Sequence, residues 1–195
     1  MKKIRPIFLL SFLIFLLSVP YEIFATNNKN VLDLERSREL LLDGYIQSDF
    51  DNHQLAIEYF TEAIRLNPNN LFAFLNRAYS KHEIKDIAGA WDDLNIALEI
   101  DPNNGIAFYN RAIVNWKLGH QLRSIKDYSK AINKNIKLKN AYAIRGILKS
   151  NIGDAEGACA DWQKASENKN ERATLWVQEN CLPNISEDFL KNTEN

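Results

Sequence analysis

Three six-residue phrases recur at one spacing: AFLNRA from Ala73, AFYNRA from Ala107 and AYAIRG from Ala141, each 34 residues after the last. A fixed interval of that length marks a chain built from copies of one supersecondary unit, none of which can bury its apolar face alone. Aligning Pro68 with Pro102 extends the interval in both directions, with units starting at Ser37, Leu71, Gly105 and Lys139.

Each unit reads as two helices. Ala56, Ala90, Ser124 and Ala158 stand at the twentieth place, Phe60, Leu94, Tyr128 and Trp162 at the twenty-fourth, and Ala63, Ala97, Ala131 and Ala165 at the twenty-seventh. Small, large, small at spacings of four and three is one face of a helix. The first half of the unit carries a second face, with Leu40, Phe74, Phe108 and Tyr142 at the fourth place and Gly44, Ala78, Ala112 and Gly146 at the eighth. Small eighth and twentieth residues let two antiparallel helices approach, and the large residues fill the open end. Gly119 and Gly153 fall between the helices of their units, where a left-handed residue ends a helix. Asn67-Pro68 and Asp101-Pro102 fall between units, where Pro stops the preceding helix.

This period and residue set resemble the tetratricopeptide repeat, over residues 37–172 in four copies: 37–70, 71–104, 105–138 and 139–172. The stretch GDAEGACADWQKA, from Gly153 to Ala165, is similar to the last repeat of small exported bacterial proteins of that family. The resemblance implies an all-α chain, a right-handed solenoid of four helical hairpins, with a capping helix at 173–182 and a polar, mobile tail at 183–195. Three departures are local: Asp43 stands where the other units have Arg, and Ile136 and Asn170 replace the closing Pro of units three and four, predicting looser turns there.

Arg77, Arg111 and Arg145 hold the seventh place of units two to four, and Asp93, Asp127 and Asp161 the twenty-third. Unit one lacks both, so the two residue types are expected to pair across each hairpin; the alternative is that both are solvated surface charges.

A terminal hairpin exposes a face that a cap must cover. Leu175, Trp176 and Cys181 are available for that at the C-terminal end, and Val31, Leu32 and Leu34 for extending the first helix backward from a mobile segment at 26–36. Cys159, at the twenty-first place of unit four, is on the side facing that last helix. The two cysteines are either a disulfide closing the cap or two buried free thiols.

Lys2, Lys3 and Arg5 precede an apolar run from Ile7 to Val19, with Ala25 at the expected cleavage point. That is the layout of a signal peptide over 1–25, and the run is too short to span a bilayer. Export to a periplasmic or other extracytoplasmic space is therefore expected, with membrane association only if the segment is retained. The formal net charge of -1 and the lack of a Lys/Arg block beyond the first five residues argue against nucleic acid as a partner.

No catalytic motif is present, the three His have no metal-ligand spacing, and the two Cys form no CxxC, so neither enzyme, metal nor cofactor is expected. What remains is binding of a protein or peptide, or of a second copy of the chain. The family resemblance implies a concave groove made by the first helices. Carried over, it holds Tyr45 of unit one; Phe72, Leu75, Asn76, Tyr79 and His82 of unit two; and Ile106, Tyr109, Asn110, Ile113 and Trp116 of unit three. Aromatic anchors beside two Asn suit an apolar segment; the alternative is that several of these rings pack between helices. The family's carboxylate-clamping pattern is not met, because Leu41, Tyr45, Ile106, Asn140 and Ile144 occupy its other places.

Overall fold

The computed structural model describes residues 21–134 and 140–181. The described residues are helical and contain no strand: α1 (Tyr21–Asp49), α2 (His53–Leu66), α3 (Leu71–Glu83), α4 (Ile87–Ile100), α5 (Gly105–Lys117), α6 (Gln121–Asn133), α7 (Ala141–Asn151), α8 (Ala155–Glu167) and α9 (Glu171–Asn180). The chain divides into two compact units, residues up to Ala73 and residues from Phe74 onward.

In the first unit α1 and α2 form a hairpin around Leu40, Ala63 and Ala73, with Leu41, Tyr59 and Leu66 at its edge. Ser37 Oγ donates to Ala63 O at 2.8 Å and accepts from Asn70 Nδ2 at 3.1 Å, which ties the start of the hairpin to its exit. The segment 26–36, expected to be a mobile lead-in with a helix extension through Val31, Leu32 and Leu34, lies wholly within α1, so the extension is present and reaches further back than expected. Its Leu, Glu and Arg content supports helix once the rest of α1 has nucleated it. Of the expected signal segment, only the last five residues are described, as the start of α1; no described helix is long and apolar enough to cross a membrane.

The second unit repeats the hairpin as α3–α4, α5–α6 and α7–α8. The eighth place faces the twentieth, since Ser124 Oγ donates to Ala112 O at 2.7 Å. The twenty-fourth ring also lies on the eighth place: a Cβ added at Gly146 would sit 2.5 Å from Trp162 Cδ1, and one at Gly44 would overlap Phe60. Glycine therefore stands at the eighth place in the two units whose twenty-fourth residue is Phe or Trp, and Ala where it is Leu or Tyr.

The turn inside each hairpin is one motif. Asp51, Lys85, Gly119 and Gly153, all at the fifteenth place, have φ of 59, 71, 77 and 85°. In each, this residue's N–H bonds three residues back and the next N–H bonds five residues back, as in Gly153 N to Ser150 O (3.0 Å) and Asp154 N to Lys149 O (2.9 Å).

The α8–α9 connection uses that same turn. Lys169 has φ 64°, its N–H reaches Ser166 O at 2.8 Å, and Asn170 N–H reaches Ala165 O at 3.0 Å. Asn170 Oδ1 then accepts from Ala173 N at 3.0 Å. The looseness expected where Asn170 replaces Pro is not found, because a left-handed residue and an N-cap end one helix and start the next. The other departure, Ile136, and the tail 183–195 lie outside the described residues.

On α9, Ala173 is buried, and Trp176 packs on Trp162 at 5.6 Å between ring centroids. Leu175, expected to cover unit four, is 54% exposed; Val177 takes that place. Cys159 and Cys181 are disulfide-bonded, with Cα atoms 5.6 Å apart, so of the two states open to the sequence the structure has the bonded one.

Candidate functional site

The interior of the second unit is fixed by three ion pairs. Arg77 Nη2 and Nε hold Asp93 Oδ1 and Oδ2 at 2.7 and 2.9 Å; Arg111 holds Asp127 at 2.9 and 2.9 Å; Arg145 holds Asp161 at 2.6 and 2.8 Å. The carboxylates are buried and the guanidiniums nearly so, which excludes the solvated-charge alternative. A second donor comes from the eleventh place: Lys81 to Asp93 at 2.9 Å, Lys149 to Asp161 at 2.9 Å and, in the middle hairpin, Asn115 Nδ2 to Asp127 at 2.9 Å. Each guanidinium also lies about one ring-width from its own fourth-place aromatic, 5.5 Å for Arg77 over Phe74 and 5.6 Å for Arg145 over Tyr142. Two Arg reach the preceding hairpin as well, Arg111 Nη1 to Asn95 Oδ1 at 2.7 Å and Arg145 Nη1 to Ser129 Oγ at 2.9 Å. The first helices are thereby locked in register with the second helices.

On that frame, α3 and α5 enclose a pocket of about 250 Å³, lined by Tyr79, His82, Leu94, Tyr109, Asn110 and Ile113, with Ala78, Glu83 and Val114 completing it. Four of the residues assigned from sequence, Tyr79, Tyr109, Asn110 and Ile113, are thus brought together. Tyr79 is 50% exposed, while Tyr109 is half-buried with its ring edge-on to Tyr128 at 5.5 Å. Burial pushes the Tyr109 phenol up from its ordinary value, so it stays a neutral donor and acceptor at physiological pH. Trp116 and Ile106 are exposed on the same helix, and Asn76 is half-buried on α3.

Leu75 is not a groove residue: it is 5% exposed. It lies three residues before buried Ala78, about 60° from it around the helix, and so turns inward. In the first unit, Tyr45 is half-buried with its ring edge-on to Phe60 at 6.0 Å, and Phe72 is 57% exposed. His82 Nδ1 is 3.1 Å from Glu83 Oε1 at the pocket rim. Among the described residues no group of three or more His, Cys, Asp or Glu could hold a metal ion.

Residues 44–70 match the family model for the tetratricopeptide repeat. A curated relative from Bos taurus, tetratricopeptide repeat protein 36, is 38% identical over 65 residues, which is 33% of this chain and 35% of that protein. The chain thus spans about a third of the length of the curated relative it matches. Among solved structures, the crystal structure of MamA is 22% identical with a TM-score of 0.66, covering 71% of this chain and 81% of that one. YrrB, described as a TPR protein with an unusual peptide-binding site, is 19% identical with a TM-score of 0.60 and 66% coverage of both chains. The chain thus carries a tetratricopeptide repeat at residues 44–70, and its helical hairpins share the fold of tetratricopeptide-repeat proteins.

Proposed function

We propose that the protein is a non-catalytic scaffold that binds an apolar, largely uncharged protein or peptide segment on the first-helix surface, outside the cytoplasm. The observation that carries this reading is the pocket between α3 and α5, where Tyr79, Tyr109 and Ile113 form an apolar wall beside Asn110. A pocket of about 250 Å³ takes one large side chain, and an Asn amide can bond the backbone of an extended segment. The peptide-binding site described for YrrB agrees with this reading.

Export is supported by the layout of residues 1–25 and by the Cys159–Cys181 disulfide, a bond that persists in oxidising compartments. Mass analysis of the mature chain reads this directly: a first residue at Thr26 is expected, and an intact Met1 would make the protein membrane-tethered instead.

The test of binding is crosslinked capture from the native envelope fraction, comparing wild type with a Tyr79→Glu/Trp116→Glu variant of verified helicity. Tyr109 is left intact because its ring packs on Tyr128. Loss of a captured protein in the variant is expected. Equal capture by both, or capture of copies of the chain alone, would sink the groove reading.

A further inference from the structure

The middle hairpin of the second unit departs from its neighbours in a correlated way. At the sixteenth place α4 and α8 are capped by Asp86 and Asp154, whose carboxylates accept from Gly89 N and Gly157 N at 2.9 Å. Any Cβ on those glycines would overlap the capping carboxylate. In the middle hairpin the cap is His120, which makes no side-chain cap bond, and the nineteenth place carries Arg123. Asn115 also replaces the Lys that backs the buried Asp elsewhere. An N-cap and an internal ammonium are both absent from the hairpin that gains a guanidinium on its surface.

The gain is concentrated. The nineteenth, twenty-second and twenty-sixth places read Gly89, Asp92, Ile96 on α4 and Gly157, Ala160, Lys164 on α8, but Arg123, Lys126, Lys130 on α6. Spaced three and four apart, these three lie on one helix face. All three are exposed, and among the described residues none pairs with a carboxylate. They line a pocket of about 230 Å³ between α4 and α6, with Trp91 on the facing helix and Asn115 within it. Lys130 Nζ is held over the Phe108 ring at 4.7 Å. The floor adds no net charge, because Arg111 is spent on Asp127.

Two features select the ligand class. Asn115 is 2% exposed and gives its Nδ2 to Asp127, which leaves Oδ1 as a buried acceptor without a donor among the described residues. A peptide N–H satisfies such an oxygen, and a bare oxyanion does not. In the neighbouring cavity along α4, which shares Trp91 and Arg111 with the groove, exposed Asp92 and Glu99 limit how far a polyanion can run. A nucleic-acid strand or a flat anionic membrane would bring further charge against them.

We propose that the groove between α4 and α6 binds a short acidic segment of a partner protein, its carboxylates on Arg123, Lys126 and Lys130, a backbone N–H on Asn115 Oδ1 and an apolar side chain against Trp91. This site is on the second helices, apart from the pocket between α3 and α5, and neither reading depends on the other.

The experiment is fluorescence polarisation on the full mature chain with a labelled acetyl-Glu-Asp-Phe-Glu-Asp-amide peptide. Saturable binding is expected. It should weaken at least about tenfold in Arg123→Gln/Lys126→Gln/Lys130→Gln and on raising salt from about 0.05 to about 0.3 M. It should persist in Tyr79→Glu/Trp116→Glu, and the single Lys126→Glu variant, at an exposed position, should show the same direction of loss. No binding, or equal binding of the Gln/Asn isostere of the probe, overturns the proposal. Stronger competition by inorganic phosphate, by oligo-dT or by phosphatidylserine vesicles than by unlabelled peptide would assign the groove to another anion and overturn it equally.

Discussion

Arg145 holds both carboxylate oxygens of Asp161, at 2.6 and 2.8 Å, from the opposite helix of their hairpin. The pair is repeated twice more in the chain, and its burial makes it a structural element of the hairpin rather than surface decoration.

Breaking that pair from the acid side is expected to be severe. Asp161→Asn leaves Arg145 and Lys149 facing each other in a sheltered site, and removing one partner of a buried pair costs about 3–5 kcal/mol. Lys149→Met, which leaves the Arg145–Asp161 pair standing, should cost distinctly less. Urea denaturation of both variants checks the order, and equal losses would contradict it.

The eighth place of the last repeat should not accept a methyl group. Gly146→Ala gains up to about 1 kcal/mol of helix propensity, yet its Cβ would press on Trp162 and the Ala158 carbonyl. Overpacking of this kind costs about 1–3 kcal/mol, so net destabilisation is expected. Adding Trp162→Leu, the residue type that accompanies Ala in the second repeat, should recover part of it. Thermal melts of the single and double variants form the cycle.

Reduction should act on the cap alone. The Cys159–Cys181 bond closes a short loop over α9, worth about 3 kcal/mol on the chain-entropy account. Dithiothreitol is expected to lower the melting temperature and to shift tryptophan emission to the red as Trp176 separates from Trp162. A Cys159→Ser/Cys181→Ser variant should reproduce both changes and be indifferent to reductant.

Alkaline stability should depend on the buried Tyr128 phenol. Burial, reinforced by neighbouring Tyr109, raises the Tyr128 pKa well above its ordinary value of 10.0. The folded state therefore keeps the proton that the unfolded state releases. The stability held by the neutral phenol is fully present below about pH 10 and declines above it. Tyr128→Phe should flatten that decline. At neutral pH it should leave stability unchanged or raise it by up to about 1 kcal/mol, because the hydroxyl has no hydrogen-bond partner among the described residues. Denaturation at pH 7 and pH 11 checks both arms.

The sequence disclosed what most copies share. Helix pairs, breakers and the Arg–Asp pairs all recur at fixed places, so comparing the chain with itself separated signal from accident. It disclosed less where a property is local. Asp51 and Lys85 adopt the same left-handed turn as Gly119 and Gly153 without a glycine to announce it. Leu75 and Tyr109 share a repeat position but not an exposure, since burial depends on what neighbouring helices place against each. The eleventh-place donors escaped because Lys81, Asn115 and Lys149 are not one residue type. Comparing charge at the nineteenth, twenty-second and twenty-sixth places would have revealed the basic face of α6.

The capping carboxylates of α4 and α8 have a consequence for anyone recombining these hairpins. As the side chains stand, a Cβ at the nineteenth place would meet the carboxylate at the sixteenth, so the two positions are coupled. Grafting Arg123 alone onto either neighbouring hairpin would make the capping carboxylate shift. A library that exchanges the sixteenth and nineteenth places together would carry the guanidinium from hairpin to hairpin without disturbing a cap.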